Sequence, residues 1–483
     1  MNRKHSLLRS LPMALVLASL AGCAAGPDYA GPPKVASQAA ARGNFLRAPE
    51  GATDAAPAAH WWTALGDPVL DKLVTDALAD APGIAVANAR IAQARAGLAA
   101  NKTAYIPSVG TSVTVPYANL PADLLNPGAG GRTDIHSYSL GFDASWELSL
   151  FGGTRRKIES ARDKAQAAEA DLADAQVSLS AEVARAYVTL RARQAAESVL
   201  ARQLEIDRKL VQLADQRFRR GTAPKQVADQ ANAQRAQSEG DLATAHADVQ
   251  VLKDQLAVLT GQAPGALDAV LEQAAPVPLP PAKVAVGDPA RLIASRPDIR
   301  AAERRLAAAN ADVGAQMAEG LPKISFMGLL GLGGSAVADM LDPGTLMGIA
   351  LPRLTWTLFD GGRNKAQVRV KKGAYAEAEA NYRQTVLGAL QDAENSLTRF
   401  GSQRVTFAKA LESEQQASHA AGLQHQRAAA GTTSLGDALG SDRQTLQAQL
   451  GAVQARAGLT TDFIAVAKAL GLGWRAPQPD GAS

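Results

Sequence analysis

Cys23 is the one thiol in 483 residues, so neither a disulfide framework nor a thiolate metal cluster is open to this chain. Its position gives the thiol another use. Arg3, Lys4 and Arg9 precede an apolar run from Leu11 to Leu20, about half the ~20 residues that a membrane-spanning helix needs. Ala21 and Gly22 then bring small residues up to the sulfur. That order predicts a secretory signal over 1–22 and an acylated Cys23; a lone buried cysteine is the bland alternative. The six histidines, at 5, 60, 136, 246, 419 and 425, offer no i, i+4 pair for a helical metal site. Gly331-Leu332-Gly333-Gly334 lacks the remaining spacing of a dinucleotide fingerprint, and no nucleophile elbow, zinc-protease motif or phosphate loop occurs. The expectation is therefore no enzyme, and no cofactor beyond a covalent lipid on Cys23.

Other charged side chains cluster where helices turn. Arg217, Arg219, Arg220 and Lys225 surround Gly221-Thr222, and Arg427 precedes Gly431-Thr432 with Asp437 just beyond. A solvated helix end accounts for such cations as well as a gate does. Over the whole chain 50 Lys and Arg face 46 Asp and Glu, and loss of Arg3, Lys4 and Arg9 with the signal leaves it close to neutral. Nucleic-acid binding is excluded on that balance, because neutralising phosphates takes a concentrated basic excess.

The elements that position these residues recur in order. Leu150-Phe151-Gly152-Gly153-Thr154-Arg155-Arg156-Lys157 returns as Leu358-Phe359-Asp360-Gly361-Gly362-Arg363-Asn364-Lys365. Gln216-Arg217 before Gly221-Thr222 returns as Gln426-Arg427 before Gly431-Thr432, Ile106-Pro107 as Leu321-Pro322, and Gly261 as Gly471. Four ordered pairs at a nearly constant offset predict two tandem copies of one unit. The organisation expected is a linker at 23–60, a first copy at 61–262, a linker at 263–287, a second copy at 288–472 and a tail at 473–483.

Each copy begins with a helix opened by proline, Pro68 to Thr103 and Pro289 to Glu319. Strands follow. Tyr138, Leu140, Phe142, Ala144, Trp146, Leu148 and Leu150 alternate strictly with Ser139, Gly141, Asp143, Ser145, Glu147 and Ser149. Val109 to Tyr117 alternates less cleanly, and in the second copy Ile324, Phe326, Leu330 and Leu332 share one parity, as do Leu346, Ala350, Leu354, Trp356 and Leu358. Pro352 predicts a bulge or an end of pairing. Arg155 to Arg217 holds neither Gly nor Pro, which allows a helix of ~95 Å, and Arg363 to Ala430 is its counterpart. Return helices run from Thr222 to Thr260 and from Gly431 to about Gly471. Each is expected to stack end to end with the first helix of its copy.

Alternating strands with one apolar face read either as a lipid-facing β segment or as soluble hairpins half-buried on helices. In lipid, four strands cannot close a barrel and open edges are prohibitive, so several chains would have to share one.

At this point the chain resembles the outer-membrane factors, the TolC-like and OprM-like channels of tripartite efflux pumps, closest to their lipidated NodT-type branch. The resemblance rests on Trp61-Trp62-Thr63-Ala64-Leu65-Gly66-Asp67-Pro68, on Ser295-Arg296-Pro297-Asp298-Ile299-Arg300-Ala301-Ala302-Glu303, on Phe359-Asp360-Gly361-Gly362-Arg363 and on the Cys23 to Tyr29 start. It implies a mainly α fold with a transmembrane β portion: a homotrimer whose strands form a twelve-stranded barrel in the outer membrane and whose long antiparallel helices form a periplasmic α-barrel. It implies a passive duct for drugs or other small toxic compounds, loaded through a periplasmic adaptor by an inner-membrane transporter, by resemblance proton-driven. Ala24 after Cys23 fits an outer-membrane destination for the lipoprotein. Gly221, Thr222, Gly431 and Thr432 would be the adaptor-contacting tips, Asp437 a gate carboxylate, and Arg217, Arg220 and Arg427 tip or gate cations. The first copy departs from the pattern, with Val227 at the spacing of Asp437, and Gly440 stands where a second carboxylate would be expected. The alternatives are a duct for protein or peptide export and a lipid-anchored periplasmic coiled-coil scaffold.

Overall fold

The computed structural model describes residues 24–124, 127–128 and 130–474. The 1–22 signal, Cys23 and residues 475–483 of the tail lie outside them. Two compact units are formed, each from three stretches of chain. One comprises the residues up to 33, 91–167 and 302–382, and the other 34–90, 168–301 and 383 onward.

The elements that carry the argument are α1 (Pro68–Asp80), α2 (Pro82–Lys102), β1 (Ser108–Thr114), β2 (Tyr138–Leu148), α3 (Gly153–Arg219), α4 (Lys225–Leu259), α5 (Pro289–Ser295), α6 (Pro297–Ala318), β3 (Lys323–Gly334), β4 (Leu346–Thr355), α7 (Arg363–Ala429) and α8 (Leu435–Ala469). Helices α3 and α7 each have 67 residues and α4 and α8 each have 35. A 67-residue helix reaches ~100 Å at 1.5 Å per residue.

The opening helix of each copy is two helices, not one. Ala81 stands at ψ 133 before Pro82, and Arg296 at ψ 128 before Pro297, because the proline ring drives the preceding residue out of the helical region. The return helices end on those breaks. A Cβ on Gly261 would lie 2.5 Å from the Asp80 carbonyl oxygen, and one on Gly471 would lie 2.7 Å from Arg296 Cγ. The end-to-end neighbour of α4 is therefore the α1–α2 junction, and that of α8 is the α5–α6 junction, where Arg296 donates to the Ala469 carbonyl at 2.6 Å.

In the first unit β1, β2, β3 and β4 form one antiparallel sheet in chain order. Its register puts Val113, Leu140, Leu332 and Leu346 in one row and Trp146, Phe326 and Pro352 in another. All the apolar alternating positions therefore share a face. Pairing continues through Pro352 without a bulge, from Lys323↔Thr355 to Leu332↔Leu346. Within the chain β4 is an edge strand, where a missing N–H costs least. Beyond β1 the chain does not loop freely: Tyr117–Pro121 pairs with Arg132–His136 as a further hairpin.

The stretch expected as a linker at 23–60 is laced onto the helices. In the first unit Arg156, 2% exposed, donates to the carbonyls of Ala25 and Gly26 at 3.2 and 3.3 Å and to Asp28 at 2.6 Å. Tyr29 donates to Glu303 at 2.9 Å. In the second unit Phe45 is 2% exposed, and both oxygens of Glu394 accept backbone N–H groups, from Leu46 and Arg47, at 2.9 Å. Pro, Gly and Ala composition signals a linker only where no long-range partner exists, and here the partners lie hundreds of residues away.

The core of the second unit is aromatic where the family-like Trp61 to Pro68 stretch enters. Trp61 packs edge-on to Trp62 and to Phe463, with centroids at 5.9 and 6.0 Å. Asp67 caps α1 through the N–H groups of Val69 and Leu70 and also accepts from Tyr187 at 2.6 Å. One carboxylate thus fixes both the start of α1 and its seat on α3.

Candidate functional site

Two places could do the work of a duct, the helix tips and the exposed sheet. At the first tip Gly221 has φ 68, and the chain reverses through paired bonds, Gly221 N–H to Phe218 O and Thr222 N–H to Arg217 O, both 2.9 Å. At the second, Gly431 has φ 72, with Gly431 N–H to Ala428 O at 3.0 Å and Thr432 N–H to Arg427 O at 2.9 Å. Both are Schellman turns, which put a residue in the left-handed region and so select glycine. Each threonine hydroxyl adds a second bond to the same arginine carbonyl, 3.0 Å in both cases. The sequence placed these four turn residues correctly at the ends of α3 and α7.

Arg217, Arg220 and Arg427 are exposed side chains at these tips. Asp437 is exposed too, but it is not a free carboxylate. It is the N3 residue of a capping box that starts α8. Its Oδ2 accepts from Ser434 N–H at 3.2 Å, from Ser434 Oγ at 2.7 Å and from Thr433 Oγ1 at 3.0 Å, while its own N–H donates to Ser434 Oγ at 3.1 Å. The Ser434 hydroxyl and N–H, the Thr433 hydroxyl and then the field of Arg217 hold its pKa below the ordinary carboxylate value. The field of Arg217 reaches this carboxylate, so α3 and the start of α8 meet electrostatically here. Ser434 and Thr433 escaped the sequence reading, although Ser434-x-x-Asp437 is a readable capping-box signal.

The sheet presents strands of 11, 12 and 10 residues in β2, β3 and β4, the ~9–11 that cross a bilayer when tilted. Its apolar residues face outward without cover: Val109 is 68% exposed, Phe142 60% and Leu354 68%. The opposite face carries Ser112, Ser139, Asp143, Ser145 and Glu147 on β1 and β2, but Met327, Leu329, Ile349 and Leu351 on β3 and β4. That polar face is thus less uniform than the first hairpin alone suggests. Beyond the strands Trp356, Leu358 and Phe359 are 55, 77 and 88% exposed, the kind of aromatic and apolar rim found where a barrel meets the interface. No helix of the described residues is long and apolar enough to cross a membrane.

Known proteins are similar to this chain. The pyoverdine export outer membrane protein OpmQ of Pseudomonas aeruginosa is 29% identical over 430 residues, covering 88% of this chain and 90% of that one. The fusaric acid resistance protein FusA of Burkholderia cepacia is 30% identical over 371 residues, 74% of this chain and 68% of that one. Among solved structures the outer-membrane channel OprN superposes with a TM-score of 0.84 at 31% identity, covering 94% of this chain and all of that one. The family described as outer membrane efflux protein matches residues 73–262 and 289–472, and the chain belongs to that family of efflux channel proteins.

Proposed function

We propose that three copies of this chain close one outer-membrane barrel and continue it as a helical duct through the periplasm. The observation that carries this is the sheet β1-β2-β3-β4, whose outer strands have no partner among the described residues and whose apolar face is exposed. Unpaired backbone groups in hydrocarbon cost several kcal/mol each, so β4 of one copy pairs with β1 of the next, and three copies give twelve strands. The two tandem copies then supply the antiparallel helices of the α-barrel, with the 67-residue helices as its long staves.

In this reading the protein is the outer-membrane component of a tripartite pump. It passes drugs or other small toxic compounds outward and supplies no energy itself. An inner-membrane transporter, proton-driven, loads it through a periplasmic adaptor that meets the Gly221-Thr222 and Gly431-Thr432 tips. Asp437 contributes a ring of three carboxylates at the periplasmic entrance, and Cys23 holds each chain to the outer-membrane lipid. The efflux relatives favour this over protein or peptide export and over a scaffold.

The test is the oligomer mass of the purified protein together with single-channel conductance in a planar bilayer. A trimer with small, mostly closed conductance steps is expected. A monomer or dimer that never conducts overturns the reading.

A further inference from the structure

Part of the stretch expected as a linker at 263–287 is fastened to the helices of the second unit. Arg191 and Gln194 of α3 donate to the carbonyls of Gln273 and Leu271, both at 2.7 Å, and the Thr460 hydroxyl of α8 donates to the Pro278 carbonyl at 2.6 Å. Between these fastenings residues 274–276 form one wall of a cavity of about 490 Å³, whose other walls are α3, α7 and α8. That lies within the ~300–1,000 Å³ of pockets that take drug-sized ligands.

Val199, Phe407, Leu411 and Val453 give the cavity an apolar lining, and Leu411 is 45% exposed. Its charged residues are Arg202, Glu414 and Arg456, an excess of one positive charge. Arg202 donates to Gln449 Oε1, a neutral acceptor, at 2.8 Å. Among the described residues Arg456 pairs with no carboxylate, and burial lowers its pKa with no acid to offset it. Its Nε is sealed off and unpartnered, whereas the two Nη atoms are not sealed and carry the donors that a ligand can reach. A partly desolvated guanidinium stays charged, and the cost of lacking a counter-ion is recovered when an anion enters.

We infer that this cavity is a binding site for an organic monoanion, a carboxylate on an apolar body of drug size, with the carboxylate at the Nη atoms of Arg456 and the apolar body against Phe407 and Leu411. One negative charge balances the lining. A guanidinium fork matches a carboxylate in shape as well as in sign. A neutral apolar compound would fill the same space and leave Arg456 without a counter-charge, and a dianion would bring a surplus charge to Glu414. Every wall comes from one chain, so the inference stands apart from the trimer proposed above.

The experiment uses full-length protein purified from membranes in detergent and titrates it with 4-(trifluoromethyl)benzoate, followed by fluorine NMR line broadening with the protein-free micelle signal subtracted. Saturable binding of one probe per chain is expected. The neutral 4-(trifluoromethyl)benzamide should bind about tenfold more weakly, and Arg456→Gln should weaken the benzoate by about the same factor, because each removes one side of a charge-assisted contact. Leu411→Trp fills the cavity from an exposed position and keeps both arginines, so it should abolish saturable binding; it carries the test should Arg456→Gln fail to assemble. No saturable binding by the parent protein, equal affinity for the amide, or benzoate affinity unchanged in either variant that assembles overturns the proposal.

Discussion

The two helix tips reverse the chain by the same means and restart it by different ones. Both turns place glycine near φ 70 and bond the following threonine to an arginine carbonyl five residues back. After the first turn α4 begins at Pro224 with no side-chain cap, while after the second α8 begins at Ser434 with a reciprocal box closed by Asp437. The cations are distributed the other way. Arg217, Arg219, Arg220 and Lys225 crowd the first tip, and only Arg427 flanks the second. The reversal is a backbone requirement, met in the same way at both tips. The restart is a matter of capping, and it is there that the two tips have acquired different surfaces.

The largest expected effect tests the part they share. Gly221→Val and Gly431→Val each force a β-branched side chain into the left-handed region, at a cost of about 1–2 kcal/mol. No atom lies within 4 Å of a Cβ at either glycine, so the strain is conformational and should be equal at the two tips. Amide exchange at the ends of α3 and α7 measures it, with protection lost roughly tenfold per 1.4 kcal/mol. Unequal losses would show that the turns are not equivalent.

A middle-sized effect tests the part they do not share. Ser434→Ala removes a side-chain cap and should destabilise the first turn of α8 by about 1 kcal/mol. Pro224→Ala removes no cap, so the first turn of α4 should lose at most the small advantage of a fixed φ. Exchange rates of the amides at 436–438 and 226–228 compare the two. A loss at α4 as large as that at α8 would break the asymmetry.

The same contrast explains what could be read in advance. The Schellman glycines and the strict alternation from Tyr138 to Leu148 are local signals, and the structure places both as expected. The breaks at Pro82 and Pro297 were local too, but helical periodicity on either side masked them, and the residue-before-proline rule is what decides them. Pro352 misled in the other direction, since it stays paired in an edge strand. Arg156 was visible only as one position of a repeat whose counterpart is Asn364. That it is buried, and that it grips the carbonyls of Ala25 and Gly26, depends on contacts 130 residues apart, for which no local pattern exists. Glu394 reading the Leu46 and Arg47 amides is the same case, across 348 and 347 residues.

Asp437 has a local role in its capping box and a proposed one at the entrance, and the smallest effect separates them. Its folded pKa is lowered from 3.8, so what the carboxylate contributes to the start of α8 is fully present above that ordinary value and is lost as pH falls through the lower folded one. Asp437→Asn keeps an acceptor for Ser434 and Thr433 but removes the charge. Exchange protection at the start of α8 should then become flat over the acid range where the parent loses it, with little change near neutrality. Three carboxylates around a closed entrance would add a second effect, because a low-dielectric constriction focuses their field on cations. Asp437→Ala should therefore weaken block by multivalent cations from the periplasmic side, and Asp437→Asn should weaken it equally despite preserving the cap. If block falls only in the alanine variant, the carboxylate acts through helix order alone. If neither variant changes it, Asp437 is a cap and takes no part in the gate.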